Sequence, residues 1–118
     1  MQNFNNLEAY KKANNLVMLV YGITNTFPKE ETFSLTAQMR RAALSIGANI
    51  AEGTGRRTDA DFLRFLHNAM GSLKELNHYL TISKNLAYLD DATYGLIYEN
   101  VDKVGRKLNN LIKSIRNV

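Results

Sequence analysis

Residues 38–53 read QMRRAALSIGANIAEG, and the spacing of their apolar side chains decides the fold. When successive residues are placed about 100° apart, as on an α-helix, two apolar sides emerge. The first side, which begins just before this stretch, consists of Leu35, Met39, Ala42, Ala43, Ile46 and Ile50. The second, opposite side consists of Ala37, Leu44, Ala48 and Ala51. A helix that is apolar on two sides is buried on two sides. The pattern therefore predicts a core on one side and a further partner on the other.

Three more helical patterns surround this one. The spacing predicts helices over residues 6–27, 35–53, 59–86 and 91–117. Pro28 ends the first helix because proline and the residue before it disfavour helical continuation. Gly53 and Gly55 end the second, since glycine is the usual residue after a helix. Thr58 and Asp90 are suitable N-caps for the third and fourth helices.

The connections between these helices are short, roughly four to nine residues, which is typical of antiparallel neighbours. No useful stretch alternates apolar and polar residues as a strand does. The chain of 118 residues is long enough for one hydrophobic core. The sequence therefore predicts an all-α fold, a single antiparallel up-down-up-down four-helix bundle over residues 1–118.

The first helix also has more apolar surface than one bundle core requires. Its apolar arc covers about 200° and includes Leu16 and Ile23. A lone bundle offers each helix one interior side, so the surplus favours burial against a second copy of the chain. We therefore expect a homo-oligomer whose interface is formed by Ala37, Leu44, Ala48, Ala51, Leu16 and Ile23. The alternative is that the small alanines simply tolerate water.

Composition excludes several classes of protein. Apolar residues make up 45% and charged residues 22% of the chain, as in globular proteins. There is no cysteine, so disulfides, thiolate metal sites and cysteine nucleophiles are excluded. No run of eighteen apolar residues indicates a membrane span, and residues 1–6 lack the basic and apolar blocks of a signal peptide. We expect a cytoplasmic location and no membrane partner.

Three kinds of catalytic site occur in small helical proteins, and the sequence favours none of them. A carboxylate-bridged di-metal site needs two Glu-x-x-His segments, and only Glu75 to His78 provides one. His67 and His78 lie about 16 Å apart along one helix, too far to share a metal within the chain. Arg64 and His67 lack the spacing of small helical ribonucleases. We expect no enzyme, metal or cofactor, with a bundle-type nuclease or metal enzyme as the less favoured alternative.

The formal net charge is +4, and the fourth helix contains the most coherent group of cations. These residues project away from its apolar arc along about 20 Å. They are Lys103, Arg106, Lys107, Lys113 and Arg116. Arg56 and Arg57 add cations near the N-terminus of the third helix, where anions are favoured. Such a stripe binds nucleic-acid phosphates without reading sequence. The alternative is a solvated surface on a protein-interaction scaffold.

Several segments together resemble a known family. They are Phe27–Glu31, Gln38–Ile46, Asn49–Gly53, Phe62–Leu66 and Gly71–Leu76. The chain resembles the bacterial four-helix-bundle proteins encoded in intervening sequences of 23S ribosomal RNA genes, to which the accessory proteins of diversity-generating retroelements are related. The resemblance implies a homopentameric assembly without enzymatic activity. In the retroelement branch it also implies binding of nucleic acid and a reverse transcriptase, so RNA, DNA or such a protein are expected partners.

Polar residues also line one edge of the second helix, between its two apolar sides. Arg41, Ser45 and Glu52 project within about 40° of each other, and Gln38 and Asn49 flank them. Because buried polar groups are hydrogen-bonded, the pattern predicts an ordered polar network at a helix or subunit junction. A catalytic role for Arg41 and Glu52 is the less favoured interpretation.

Overall fold

Four helices make up most of the part that the computed structural model describes, which is Phe4 and residues 7–116. They are α1 (Glu8–Thr24), α2 (Leu35–Thr54), α3 (Asp59–Asn85) and α4 (Asp91–Arg116), with a short 3₁₀ turn at Lys29–Glu31. No strand occurs in these residues. The predicted all-α class is confirmed.

The helices pack as a closed square. Each helix contacts the next one along the chain, and α1 closes the square by packing against α4, whereas the described residues form no diagonal pair. This is the predicted up-down-up-down arrangement. The largest fully buried side chains include Leu16, Met39, Ile46, Ile50, Leu66, Leu76, Leu80, Ile97 and Leu108. Among the described residues, no helix is both long and apolar enough to cross a membrane.

Two of the helix starts are capped by the residues that the sequence indicates. The Thr58 hydroxyl accepts a hydrogen bond from the Asp61 N–H at 3.1 Å, which caps α3. Asp90 Oδ1 accepts one from the Thr93 N–H at 2.7 Å, which caps α4 and lowers the pKa of Asp90. Both caps satisfy N–H groups that the first turn of a helix leaves unpaired.

The predicted bounds differ from the observed ones mainly in the first helix. Its predicted start at residue 6 and the predicted end of the fourth helix at 117 lie outside the described residues. The first helix ends at Thr24, three residues before the predicted end. The second helix is one residue longer than predicted and the third one residue shorter.

The early end of α1 has a local cause. The N–H groups of Thr26 and Phe27 bond to carbonyls three residues back, so the chain tightens into turns before it reaches the proline. From α2, Arg40 Nε donates to Thr24 Oγ1 at 2.9 Å and Arg40 Nη2 donates to Asn25 Oδ1 at 3.0 Å. These bonds hold the end of α1 against α2.

Glycines let α2 approach both of its neighbours closely. A Cβ on Gly53 would lie 2.8 Å from Phe62 Cδ1 and 3.1 Å from Phe65 Cβ, both on α3. A Cβ on Gly47 would lie 3.2 Å from Asn14 Oδ1 and 3.5 Å from Tyr10 Cε1, both on α1. None of the glycines described has a positive φ. Their role here is therefore close packing rather than backbone freedom.

A hydrogen-bonded group ties the α1–α2 connection to the α3–α4 connection. The Ser34 hydroxyl donates to Glu31 Oε1 at 2.7 Å, and the Tyr88 hydroxyl donates to Glu31 Oε2 at 2.8 Å. The Tyr88 ring also lies against Phe27, with ring centroids 5.3 Å apart. The Ser34 bond, and then the Tyr88 bond, lower the pKa of Glu31, whereas the bond to Glu31 raises the pKa of Tyr88.

The contact at Gly53 gives the first prediction. Gly53→Ala should destabilise the protein by about 1–3 kcal/mol, because Phe65 Cβ is fixed to the backbone and cannot move away. The matched control is Gly71→Ala in the exposed middle of α3, where nothing lies within 4 Å of the added Cβ. That change should stabilise by about 0.5–1 kcal/mol. Urea unfolding measures both, and a Gly53→Ala variant as stable as the parent would contradict the close approach.

The second prediction concerns pH. Because the folded-state pKa of Glu31 is below its unfolded value, its bonds contribute stability above the ordinary carboxyl pKa of 4.5, and this contribution is lost as the pH falls. Tyr88→Phe should therefore lower the unfolding free energy at neutral pH and have progressively less effect in acid. Tyr98→Phe is the control, since Tyr98 is exposed on α4. A Tyr88→Phe effect that does not change between about pH 7 and pH 3 would refute the carboxylate bond.

Candidate interaction surfaces

The outer side of α1 and α2 forms an exposed apolar surface, which we call the apolar face. Its most exposed large residues are Met18, at 72% of its full accessibility, and Leu44, at 50%. Ala48 is also exposed, and Val17 and Ala51 are half-buried beside it. The groove between the two helices here has a volume of about 530 Å³. Leu44 and Ala48 also line a second groove, of about 370 Å³, nearer the start of α2.

The predicted interface residues do not all reach this face. The four α2 residues Ala37, Leu44, Ala48 and Ala51 line its two grooves. Leu16 does not, because its side chain is completely buried in the bundle core. Ile23 is half-buried and packs against the core. The assignment of Leu16 to an interface is therefore wrong: this part of the broad α1 arc points into the bundle, and Met18 takes the outward position.

A cationic groove runs between α1 and α4, and we call it the basic groove. Lys103, Arg106 and Lys107 line it from α4, and Lys12 joins them from α1. Its volume is about 460 Å³, and Glu8 is the acidic residue in its lining. Arg106 also forms an exposed ion pair with Asp102 on its own helix, with Nη2 and Oδ2 3.2 Å apart. Such exposed pairs contribute little, so Arg106 remains accessible to an anion.

The remaining predicted cations lie at one end of the bundle. Lys113 and Arg57 are exposed, and Arg116 Nη2 lies 3.4 Å from His67 Nε2. Arg56 Nη2 forms an exposed ion pair with Glu52 Oε2, 2.6 Å away. Unlike Arg106, Arg56 is also held against an aromatic ring, because its guanidinium lies over Phe65, 4.9 Å from the centroid. Arg56 is therefore a weaker candidate for phosphate binding than the sequence suggests.

Charge is distributed unevenly along the bundle axis. The end formed by the α2–α3 connection and the C-terminus of α4 carries Arg56, Arg57, Arg64, Lys113 and Arg116 against Glu52, Asp59 and Asp61. The opposite end carries Glu30, Glu31, Asp90 and Asp91 against Lys29, Arg40, Arg41 and Lys84. The bundle therefore has one basic end and one end of balanced charge, which a projection of each helix by itself does not reveal.

The polar edge of α2 does not form a network within the chain. Asn49 Nδ2 donates to the backbone carbonyl of Ser45 at 2.8 Å, and Glu52 pairs with Arg56. In the part of the chain that the structure describes, the side chains of Gln38, Arg41, Ser45, Asn49 and Glu52 are not bonded to one another. The predicted network is thus absent from the single chain, and a subunit junction at this edge stays a prediction.

The candidate catalytic residues are dispersed. Glu75 and His78 are exposed on α3, and His67 faces Arg116 rather than a nucleophile. Within Phe4 and residues 7–116, no three histidine or acidic side chains are grouped closely enough to hold a metal ion. The histidine and carboxylate positions thus give no geometric support to a particular reaction.

Sequence reasoning missed two residues near the start of α2. Arg40 bonds to the end of α1 and lies over the Tyr21 ring, 4.5 Å from its centroid. Phe33 is 94% exposed in the turn before α2. The signal for Phe33 was its position outside every helical stripe, whereas no sequence signal places Arg40 beside the end of α1, because that contact depends on tertiary packing.

Comparison with known proteins agrees with this architecture. Residues 5–110 match the family described as 23S rRNA-intervening sequence protein. The fold is similar to a crystal structure of a protein with unknown function from the S23 ribosomal protein family of Bacteroides thetaiotaomicron, with a TM-score of 0.82. The two are 24% identical, over 89% of this chain and 95% of that one. A comparison with curated protein sequences finds no match.

Proposed function

The chain belongs to the 23S rRNA-intervening sequence protein family, and from that premise we propose that it is a non-enzymatic helical module that assembles with copies of itself and binds RNA or DNA without sequence preference. The observation that carries the proposal is the basic groove, where two helices direct cations into one concave surface. The proposed assembly is a homopentamer in the cytoplasm, in which the number five rests on the resemblance. A reverse transcriptase or another nucleic-acid-processing protein is a further partner that the resemblance implies.

The chemistry of the basic groove favours phosphate as its ligand. Lys12, Lys103 and Lys107 carry compact charges that attract phosphate oxygens, whereas the groove lining contains no aromatic side chain on which a base could stack. Binding of this kind releases counterions from the nucleic acid and ignores its sequence. One chain contacts only a few phosphates, so its dissociation constant should lie in the range of weak, non-specific nucleic-acid binding, about 10⁻⁴–10⁻⁶ M at physiological salt.

The apolar face supports the proposed assembly. Met18 and Leu44 are large apolar residues exposed side by side on neighbouring helices, and small residues between them leave grooves open. Contiguous apolar surface of this kind is typical of protein–protein contacts. Copies held together here repeat the basic groove around the assembly, which raises the affinity for a long nucleic acid by avidity.

The third prediction tests assembly. Ala48→Glu should lower the mass measured by light scattering towards the 13.4 kDa of one chain, because it places a charge in the apolar face. Helix content should not change, since Ala48 is exposed in the single chain. The control is the same substitution at Ala92, which is exposed in the first turn of α4 and lines neither groove of the apolar face, and which should leave the mass unaltered. If the parent chain itself has the mass of one copy, the assembly is refuted.

The fourth prediction tests nucleic-acid binding. Replacing Lys12, Lys103 and Lys107 by Gln should weaken binding and reduce the slope of log affinity against log salt by about 1 for each lost phosphate contact. The control replaces Lys29, Lys74 and Lys84 by Gln, which removes the same charge outside the groove. Fluorescence anisotropy with a labelled duplex measures both.

Equal loss in the two triple variants would mean that net charge, not the groove, attracts the nucleic acid. Absence of binding at low salt would instead favour the alternative of a pure protein-interaction scaffold, in which these lysines only keep the assembly in solution. Binding by the control variant with the slope of the parent, and by the groove variant with a smaller slope, is the result that the proposal requires.

A further inference from the structure

Phe33 is exposed although its backbone is held firmly. The side chain is 94% accessible. Before it, the Thr32 N–H and hydroxyl both donate to the Lys29 carbonyl, at 3.1 and 2.7 Å. After it, Ser34 is bonded through its N–H and its hydroxyl to Glu31. The ring is thus presented by an ordered turn, and its insertion into a partner would cost little further backbone entropy.

The apolar face contains a hole of suitable chemistry. The smaller of its two grooves, about 370 Å³, lies between Tyr21 on α1 and Leu44 on α2, and Ala37 and Ala48 leave it open. Two arginines also line it: Arg40, whose guanidinium lies over the Tyr21 ring, and Arg41, which is exposed and forms no ion pair in the described part of the chain. An aromatic ring could fill the space between Tyr21 and Leu44 while a carboxylate reaches the Arg41 guanidinium.

The turn that presents Phe33 carries such a carboxylate. Glu30 is exposed and forms no ion pair among the described residues. Glu31 is not free for this role, because Ser34 and Tyr88 occupy its two oxygens. The same molecule therefore carries an apolar knob, Phe33, beside the anion Glu30. It also carries an apolar hole, the groove between Tyr21 and Leu44, beside the cation Arg41.

We propose that Phe33 of one copy inserts between Tyr21 and Leu44 of a second copy, while Glu30 of the first pairs with Arg41 of the second. The proposal rests on the proposed self-assembly and specifies its contact. Phe33 is exposed and therefore does not fill the groove of its own chain, which leaves that groove open to a second copy. The hole at Leu44 lies about 14 Å along α2 from the first residue of the helix, so two neighbouring bundles must be inclined to one another, or offset along their axes by roughly that distance.

Because the knob and the hole are different surfaces, copies can repeat this contact head-to-tail, as the proposed homopentamer requires. Each copy inserts into one neighbour and receives from the other, which generates a closed ring when the rotation closes and a filament when it does not. A pair of copies related by a two-fold axis would instead exchange both knobs across one interface. A parent assembly of only two copies would therefore contradict the head-to-tail arrangement.

The experiment measures the dissociation constant between copies by sedimentation equilibrium. Phe33→Ser should raise it about ten- to hundredfold for each contact, as expected for loss of a buried aromatic side chain. Leu96→Ser is the matched control, because Leu96 is 55% exposed on α4 and lies outside both surfaces. It should leave the dissociation constant unchanged. Neither residue is in the core, so both variants should keep the circular dichroism spectrum of the parent.

A charge exchange tests the ion pair. Glu30→Arg should weaken association by placing two cations together, and the double variant Glu30→Arg/Arg41→Glu should restore it. The proposal is overturned if Phe33→Ser associates like the parent, or if the double variant is no better than Glu30→Arg. In either case the parent assembly and its loss in Ala48→Glu would still stand. A parent chain that remains a single copy overturns both the contact and the proposed assembly.

Discussion

The close approach of α2 to both of its neighbours is the constraint on which the rest of the structure depends. Gly53 admits Phe62 and Phe65 of α3, and Gly47 admits Tyr10 of α1, at distances that leave no room for a Cβ at Gly53 and little at Gly47. The core side of α2 is correspondingly narrow, with alanines beside Met39 and Ile46. A narrow α2 lets α1 and α3 each pack closely against it, and α4 completes the square by packing against both α1 and α3. The small residues on its outer side, such as Ala48, leave the apolar face grooved rather than flat.

Sequence periodicity was sufficient for the helices because each one buries a continuous stripe, and the caps Thr58 and Asp90 act locally. Periodicity was insufficient where contacts between helices determine the position of a residue or the end of a helix. The broad apolar arc of α1 does not tell which part faces the core, so the sequence predicts an interface position for Leu16, which is in fact fully buried. The early end of α1 depends on Arg40, which is distant in sequence. Phe33 belongs to no stripe, and its exposure is known only from the structure.

The candidate surfaces were also predictable to different degrees, because some depend on one helix and others on contacts between helices. The cations of α4 are a property of one helix, and the sequence places them correctly on its outer side. That Lys12 of α1 joins them follows only from the packing of α1 against α4. Conversely, the sequence treats Arg56 and Arg57 alike, whereas Arg56 is held by Glu52 and Phe65. The contribution of a cation to anion binding depends on its neighbours, and neighbours from other helices are invisible to a helical projection.

The uneven charge of the bundle connects assembly to nucleic-acid binding. If copies stand side by side through the contact of Phe33 with the apolar face, their axes point the same way and all their basic ends meet on one side of the assembly. A phosphate backbone then encounters Arg57, Lys113 and Arg116 from several copies at once, in addition to the grooves between α1 and α4. The gain by avidity requires that one strand reach several copies, and a shared basic side meets that requirement better than grooves facing in different directions. The ends of balanced charge would gather on the opposite side, so in the proposed assembly the same contact between copies would also direct the nucleic acid to the basic side.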